Sequence, residues 1–350
     1  MGRHRAVIVG AGALGLGFLG ERLAPDYELC LADLPVREPL LKRIADTHGY
    51  DLNVCTPQGI ELRSVRGAFT YALMGDPASS AGPALAAALE EAELVLTAVG
   101  ARALPDLIRA IAPTLNARHG PAWLLFCENG RDIAARYGAG LGPAVRRVDT
   151  VMSRMCRFAE AGERGYAPLW AGAEERLVAE SYSTIPLDRA ACEGGPFSSA
   201  FSLVDSADFR MWEDVKLFMH NGLHAFVSYH AYLEGVKRFP QAPAAVLAEA
   251  LRVMRDELVP SILFHHHHAV RSELEAYGVS LLERISNPWF NDSIERGVRG
   301  AAEKLGPDER LLGGRDYIRE AGIDPRGYAT IIDAARRIAA VQAGVGGTHR

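Results

Sequence analysis

Lys216, His220, Asn221 and His224 lie within nine residues, KLFMHNGLH (216–224). An amine, an amide and imidazoles are the groups that take a proton from an alcohol and hold the oxygen left behind. On a helix advancing about 100° per residue, Lys216, Asn221 and His224 fall within an arc of about 140°, with His220 inside it, so one pocket can receive them all. The same spacing also fits an amphipathic helix with a solvated lysine and buried, satisfied histidines. It imitates a zinc motif as well, since His220 and His224 are four residues apart. Asn221, however, stands where that motif carries its general-base glutamate, and no third ligand is identifiable, so no metal is expected. Lysine is otherwise scarce. Of 38 basic residues only Lys42, Lys216, Lys237 and Lys304 are lysines. A lysine amine can lose its proton where arginine cannot, which marks Lys216 as a candidate base.

A base for an alcohol needs a hydride acceptor, and the chain begins with one candidate site. The strand-like run RAVIVG (5–10) enters Gly10-Ala11-Gly12-Ala13-Leu14-Gly15, a helix-like segment follows, and the second strand-like run, YELCLAD, ends at Asp33. Gly-x-Gly-x-x-Gly alone is a weak signal. After a strand, before a helix and upstream of an acid at this distance it reads as a dinucleotide turn. Gly10 permits the tight turn, Gly12 lets the backbone approach a pyrophosphate, and Gly15 allows close helix–strand packing. Asp33 would accept hydrogen bonds from a ribose diol and repel a 2′-phosphate, which favours NAD over NADP. A glycine-rich turn that binds no nucleotide is the plain alternative, and FAD has no separate support.

These groups need elements to position them. Up to about residue 150, apolar runs such as ELVLTAVG (93–100) and AWLLFCENG (122–130) alternate with helix-like segments, including 84–91, which predicts a parallel sheet with helices on both faces. Residues 51–72 read as short strands and turns. Segments 146–158 and 169–187 read as later strands that extend the sheet, in part antiparallel. After CEGGPF (192–197) helical segments dominate, among them 211–239, 243–272 and 325–342, the last with Asp324 as N-cap before Pro325. The expectation is an α/β chain: a Rossmann-type NAD-binding domain with an extended mixed sheet over 1–195 and a mostly α-helical substrate domain over 196–350.

Composition excludes several classes. The formal charge of −5 and pI near 6.1 argue against nucleic-acid binding, and no apolar run is long enough to span a membrane. The first strand follows Met1 so closely that no signal peptide is expected. Five cysteines with no CxxC fit reduced thiols in the cytoplasm. In the run His265–His268, consecutive helical positions diverge by about 100°, so a structural role is expected. Cys127 and Cys156 read as small core residues, and Trp212, Tyr229 and Tyr232 as packing residues.

K-x4-N-x2-H resembles the signature of the polyol-specific long-chain dehydrogenases, the mannitol dehydrogenase family, and within it the mannitol-1-phosphate 5-dehydrogenases. GAGALGLGFLGERLA, LADL, DLNV, LTAVG, FCENG, KLFMHNGLHA and ISNPWFNDSIERGVRGAAEKL carry the resemblance over nearly the whole chain. It implies an enzyme that interconverts a sugar alcohol, such as a polyol phosphate, with its ketose, without zinc, as a monomer or small homo-oligomer. It implies Lys216 as general base with Asn221 and His224 beside it. Asp149, in VDTVMSR (148–154), falls where several members carry a second oxyanion-hole asparagine. Arg154, Arg296 and Lys304 match basic residues that reach the substrate. Val99, Gly100, Glu128 and Asn129 match residues lining the nicotinamide side. Two departures stand out: Ser153 replaces an aspartate, and Glu303 replaces a basic residue next to Lys304. They bear on which polyol is used, and they keep open a dinucleotide-binding regulatory protein without catalysis. The other rival, an NADPH-dependent 2-keto acid reductase of the ketopantoate reductase type, is disfavoured by Asp33 and by K-x4-N-x2-H.

Overall fold

The computed structural model describes residues 4–75, 81–195, 197–306 and 309–346. The chain divides into two compact units, Met1–Phe209 and Arg210–Arg350.

The first unit is built on strands β1 (His4–Val9), β2 (Tyr27–Asp33), β3 (Gly49–Thr56), β4 (Gly59–Arg66), β5 (Phe69–Leu73) and β6 (Leu94–Thr97). It continues with β7 (Ala122–Phe126), β8 (Val145–Asp149), β9 (Cys156–Phe158), β10 (Leu177–Glu180), β11 (Pro186–Asp188) and β12 (Ser202–Val204). Six of them form a parallel sheet in the order β5-β2-β1-β6-β7-β8. Its central strands are buried on both faces, so they read as unbroken apolar runs. Along β1, Ala6 and Ile8 enter one hydrophobic cluster while Val7 and Val9 enter another on the opposite face. The second cluster includes Leu104, Leu107, Ile111 and Leu115 of the helix Leu104–Asn116. That helix carries a clear 3.6-residue apolar period that the sequence reading passed over.

Of the strands expected to extend the sheet, β8 does so, in parallel with β7. The antiparallel pairing lies elsewhere. β9 and β10 pair antiparallel with each other and join the β3–β4 hairpin in a separate four-stranded sheet, ordered β4-β3-β10-β9. The boundary at 209/210 comes later in the chain than the join expected at 195/196. Residues after 196 stay with the first unit because β12 pairs with β11, and because Phe197 packs edge-on against Trp123 and Phe201. Pro196, within the expected linker, lies outside the described residues. All five cysteines are buried free thiols.

The second unit is helical. Ser206–Asp214 leads into it and is followed by a π-helical turn, Val215–His220, and the helix Asn221–Leu233. The helix stops short of the expected 239 because Gly235 adopts a left-handed φ of 78°. Next come Ala244–Val253, a second π turn (Met254–Leu258) and Val259–His265, then Arg271–Ile285, Ile294–Val298, Arg310–Glu320 and Arg326–Gly346. The last helix is not capped by Asp324, whose carboxylate takes Arg326 Nε at 2.6 Å. Buried Glu257 caps it instead, accepting the amides of Gly327 and Tyr328, each at 2.8 Å. Among the described residues no helix is long and apolar enough to cross a membrane.

Candidate active site

The parallel sheet changes winding direction between β1 and β6, and a crevice for ligands forms outside the strand ends at such a switch. The loops after these two strands meet there. Gly10 has φ 102°, and a Cβ on it would lie 2.4 Å from the carbonyl oxygen of Ala98. A Cβ on Gly15 would strike the Gly10 carbonyl at 2.0 Å, whereas one on Gly12 would meet nothing within 4 Å. The first and third glycines are therefore required by packing, and the second leaves open space for an approaching phosphate. Ala11 is buried, while Ala13 and Leu14 are half-buried. Asp33 accepts the Ala11 amide on Oδ2 at 2.8 Å and the Leu34 amide on Oδ1 at 2.7 Å. The same carboxylate that could take a ribose diol thus also fixes the turn. These residues fit an adenine dinucleotide.

Glu128, at the end of the neighbouring strand, is buried. It receives Thr97 Oγ1 at 2.6 Å and the Val99 amide at 3.2 Å. Burial raises its carboxyl, and these bonds oppose the rise. Glu128 thereby pins the Ala98–Gly100 loop, in which Gly100 is exposed at φ 85°; Asn129 beside it is exposed.

Two expected site residues have other partners. Asp149 Oδ1 accepts the Ala134 amide at 2.8 Å, at the start of the helix Ile133–Tyr137. A carboxylate committed to backbone amides is an acceptor and cannot supply an oxyanion-hole donor. Arg154 has a side chain with no exposed surface. Its Nε donates to the Glu180 carbonyl at 2.7 Å, its Nη1 to Glu21 at 3.0 Å, and its guanidinium lies over the Phe18 ring. Glu21, on the helix after the glycine turn, thus holds the guanidinium in an internal ion pair, while Arg154 Nη2 is buried without a partner among the described residues. The neighbouring Ser153 is also buried.

In the second unit the opening stretch is wound more widely than an α-helix. The Asn221 amide donates to the Lys216 carbonyl, five residues back, which makes Val215–His220 a π turn. An i→i+5 turn brings residues five apart nearer to one face than an α-helix does, which favours convergence of Lys216 and Asn221. His224 follows one turn later. Asn221 is buried, and its Nδ2 has no hydrogen-bond acceptor among the described residues. A buried donor left without a partner marks a place for a ligand oxygen. His220 is buried and its Nδ1 pairs with the Tyr277 hydroxyl at 2.9 Å. Among the described residues no group of three or more His, Cys, Asp or Glu is placed to hold a metal ion.

The field at this site is positive. Burial, and then the charges of Arg296, Lys304, Lys216 and Arg310, push His224 well below the usual histidine range. Burial followed by Lys216 does the same to His220. Lys304 is pushed down to about 8, by burial first and Arg310 second. Its Nζ donates to the Gly297 carbonyl at 3.0 Å and sits 5.8 Å from the centre of the Tyr229 ring. Arg296 is held by buried Asp292 in a two-pronged contact of 2.6–3.1 Å. Arg310 went unnoticed in the sequence, where it is one arginine among many beyond a turn. The histidine run His265–His268 is structural where its contacts are seen: His265 stacks on Tyr317 at 3.9 Å, and His266 Nε2 meets buried Asp214 at 2.8 Å.

Residues 4–138 match a family model described as the mannitol dehydrogenase Rossmann domain, and residues 208–337 match the mannitol dehydrogenase C-terminal domain. The mannitol-1-phosphate 5-dehydrogenase of Arthrobacter sp. (strain FB24) is 28% identical over 353 residues, covering 95% of this chain and 86% of that protein. Two solved structures each align with a TM-score of 0.65 over 95% of this chain. One is a substrate-free D-sorbitol dehydrogenase, 17% identical and 80% covered. The other is the Pseudomonas fluorescens mannitol 2-dehydrogenase in complex with NAD and D-mannitol, 14% identical and 78% covered.

Proposed function

The chain belongs to the mannitol dehydrogenase family, and from that premise we propose that it is an NAD-dependent dehydrogenase that interconverts a sugar-alcohol phosphate, such as mannitol 1-phosphate, with the ketose phosphate. The observation that supports the reading is the π turn running from Lys216 to Asn221, with a buried Asn221 Nδ2 that lacks an acceptor among the described residues.

NAD, when bound, supplies the acceptor for the hydride that leaves the carbinol carbon. Gly12 would leave room for its pyrophosphate, Asp33 would take the ribose hydroxyls, and the Val99–Gly100 loop, held by Glu128 and flanked by Asn129, would line the nicotinamide side. The Lys216 amine takes the hydroxyl proton as the carbon–oxygen bond gains double-bond character. Asn221 Nδ2 donates to that oxygen while it carries negative charge. His224, kept neutral by burial and by the surrounding cations, offers one ring nitrogen as donor and the other as acceptor, and orients the alcohol without adding charge. Arg296 faces the hydroxyl chain. Its charge is largely neutralised by Asp292, which suits neutral oxygens. In the reverse direction the protonated Lys216 returns its proton to the ketose oxygen. Arg154 and Asp149 are assigned to holding the first unit together.

A panel of alditols, alditol phosphates and ketose phosphates, followed by NADH absorbance, tests the reading. Turnover of at least one alditol phosphate or ketose phosphate is expected. NADH binding without turnover on any member of the panel would favour a regulatory protein that only senses the dinucleotide.

A further inference from the structure

We propose that Arg310 joins Lys304 in a subsite for the substrate's phosphate and is the residue that selects a phosphorylated alditol over the free one. The inference rests on the polyol reading above and deepens it.

Besides Lys216, three cations act on His224, namely Arg296, Lys304 and Arg310, and they differ in how their charge is balanced. Arg296 is already answered by Asp292, buried beside it. Lys304 has no carboxylate within ion-pair distance among the described residues, and its ammonium hydrogen-bonds only to a carbonyl. The Arg310 guanidinium makes no hydrogen bond among them. Its Nε is buried without an acceptor among the described residues, and its one ion pair among them is a long one, 4.0 Å to the exposed Glu309. The Arg310 backbone is nonetheless fixed, since its carbonyl accepts the Tyr328 hydroxyl at 2.8 Å. Tyr229, fully buried under the Lys304 ammonium, has a hydroxyl that also lacks an acceptor.

Two partly desolvated cations raise each other's energy: Arg310 is the first charge after burial that lowers Lys304, and the exposed Glu303 and Glu309 oppose it only in part. Such a pair contributes nothing to folding by itself. A dianion with several acceptor oxygens would neutralise both cations, and Arg310 can meet it with two parallel N–H groups. A neutral hydroxyl would leave the net charge in place. The basic residue expected next to Lys304 is Glu303, which is exposed. Arg310, brought in from the start of the helix Arg310–Glu320, supplies the second charge from a different direction.

The test uses the full-length protein with bound NADH, in wild-type, Arg310→Gln and Arg310→Lys forms. The readout is the ratio of kcat/KM for an alditol phosphate to kcat/KM for the same alditol. Arg310→Gln should lower this ratio at least about tenfold, and Arg310→Lys should restore most of it. Calorimetry with inorganic phosphate gives a second readout that does not depend on turnover, and the glutamine variant should bind phosphate at least about tenfold more weakly. An aldonate serves as the carboxylate control. An unchanged ratio overturns the proposal, as does an aldonate preferred over the phosphate ester. Equal losses on both alditols would assign Arg310 to structure, and thermal melts of the three proteins identify misfolding. If no alditol of either kind turns over, the polyol reading fails. Phosphate binding that is strong in wild type and weak in Arg310→Gln would then still uphold an anion subsite, and its absence would remove both.

Discussion

The Asn221 amide donates to the carbonyl of Lys216, five residues earlier, and this one bond sets the geometry of the site. On a regular α-helix these two side chains would diverge by about 140°. The wider π turn reduces that divergence, and His224 follows three residues on. K-x4-N-x2-H is thus the spacing of one π turn followed by one α turn. A π bulge strains the local ladder, and such bulges recur where side chains must converge on a ligand.

Lys216→Ala should lower kcat by at least about 10²-fold, the usual range for losing a general base. NADH binding, measured by fluorescence titration, should stay near wild type, because the dinucleotide turn belongs to the first unit. A small primary amine in the buffer should restore part of the rate. Asn221→Ala should also lower kcat through the lost donor. A Lys216→Ala enzyme with near wild-type kcat on its best substrate would make this lysine an ordinary solvated side chain.

Arg154 and Glu21 should behave as a structural pair. Glu21 also holds Arg63 at 3.0 Å, so losing Arg154 removes one of its two arginine partners and a buried charge-assisted bond, which costs about 1.5–3 kcal/mol. Arg154→Met should therefore lower the urea midpoint sharply, while KM for the polyol in the protein that remains folded stays within about twofold. A KM rise with unchanged stability would return Arg154 to the substrate.

What was legible in the sequence follows from the distance over which its causes act. The glycine turn, its strand and Asp33 are set by local chemistry within one β-α-β unit, and the structure has them where the spacing suggests. A helical wheel put Lys216, Asn221 and His224 only within an arc of about 140°, and the π turn that narrows it was not legible, because it depends on packing around Val215–His220. Arg154 could not be read correctly from its neighbours. Its partner Glu21 lies 133 residues away in sequence, and the choice between core and substrate was made there. Asp149 was drawn off in the same way by amides at a helix start. Arg310 gave no signal, since a positive charge declares its role only once burial and the missing counter-charges are seen.

Asp33 carries two tasks, and substitution should separate them. Wild type should bind NADH at least about tenfold more tightly than NADPH, a difference of about 1.4 kcal/mol. Asp33→Asn keeps an oxygen for one of the two amides it holds and removes the charge that repels a 2′-phosphate. The preference should narrow, with a stability loss of about 1–3 kcal/mol from the weakened charge-assisted bonds. Equal affinity of wild type for the two cofactors would remove the assigned role of Asp33.

The cations and histidines of the second unit predict how stability depends on pH. His220 and His224 stay neutral in the native state because burial and nearby positive charges push them well below the ordinary value of about 6.5. As pH falls through about 6.5 the unfolded chain takes up protons that the native chain refuses, so stability falls with it. Lys304 acts in a separate window with the same sign. Its native value of about 8 lies below the free-lysine value, and between about 8 and 10.4 the unfolded chain holds a proton that the native chain has lost. Stability therefore rises with pH across that window, and below it the buried ammonium is a standing cost. Lys304→Met should be more stable than wild type at pH 7, by about 1–3 kcal/mol, and the gain should vanish by about pH 10.5. Urea unfolding of both proteins at the two pH values measures this directly. Saturating inorganic phosphate should stabilise wild type at pH 7 and leave the variant less affected, because the anion neutralises the charge that the substitution deletes. A Lys304→Met protein that is less stable than wild type at pH 7 in phosphate-free buffer would mean that the native chain already balances this ammonium, and the argument for an anion subsite beside it would lose its electrostatic basis.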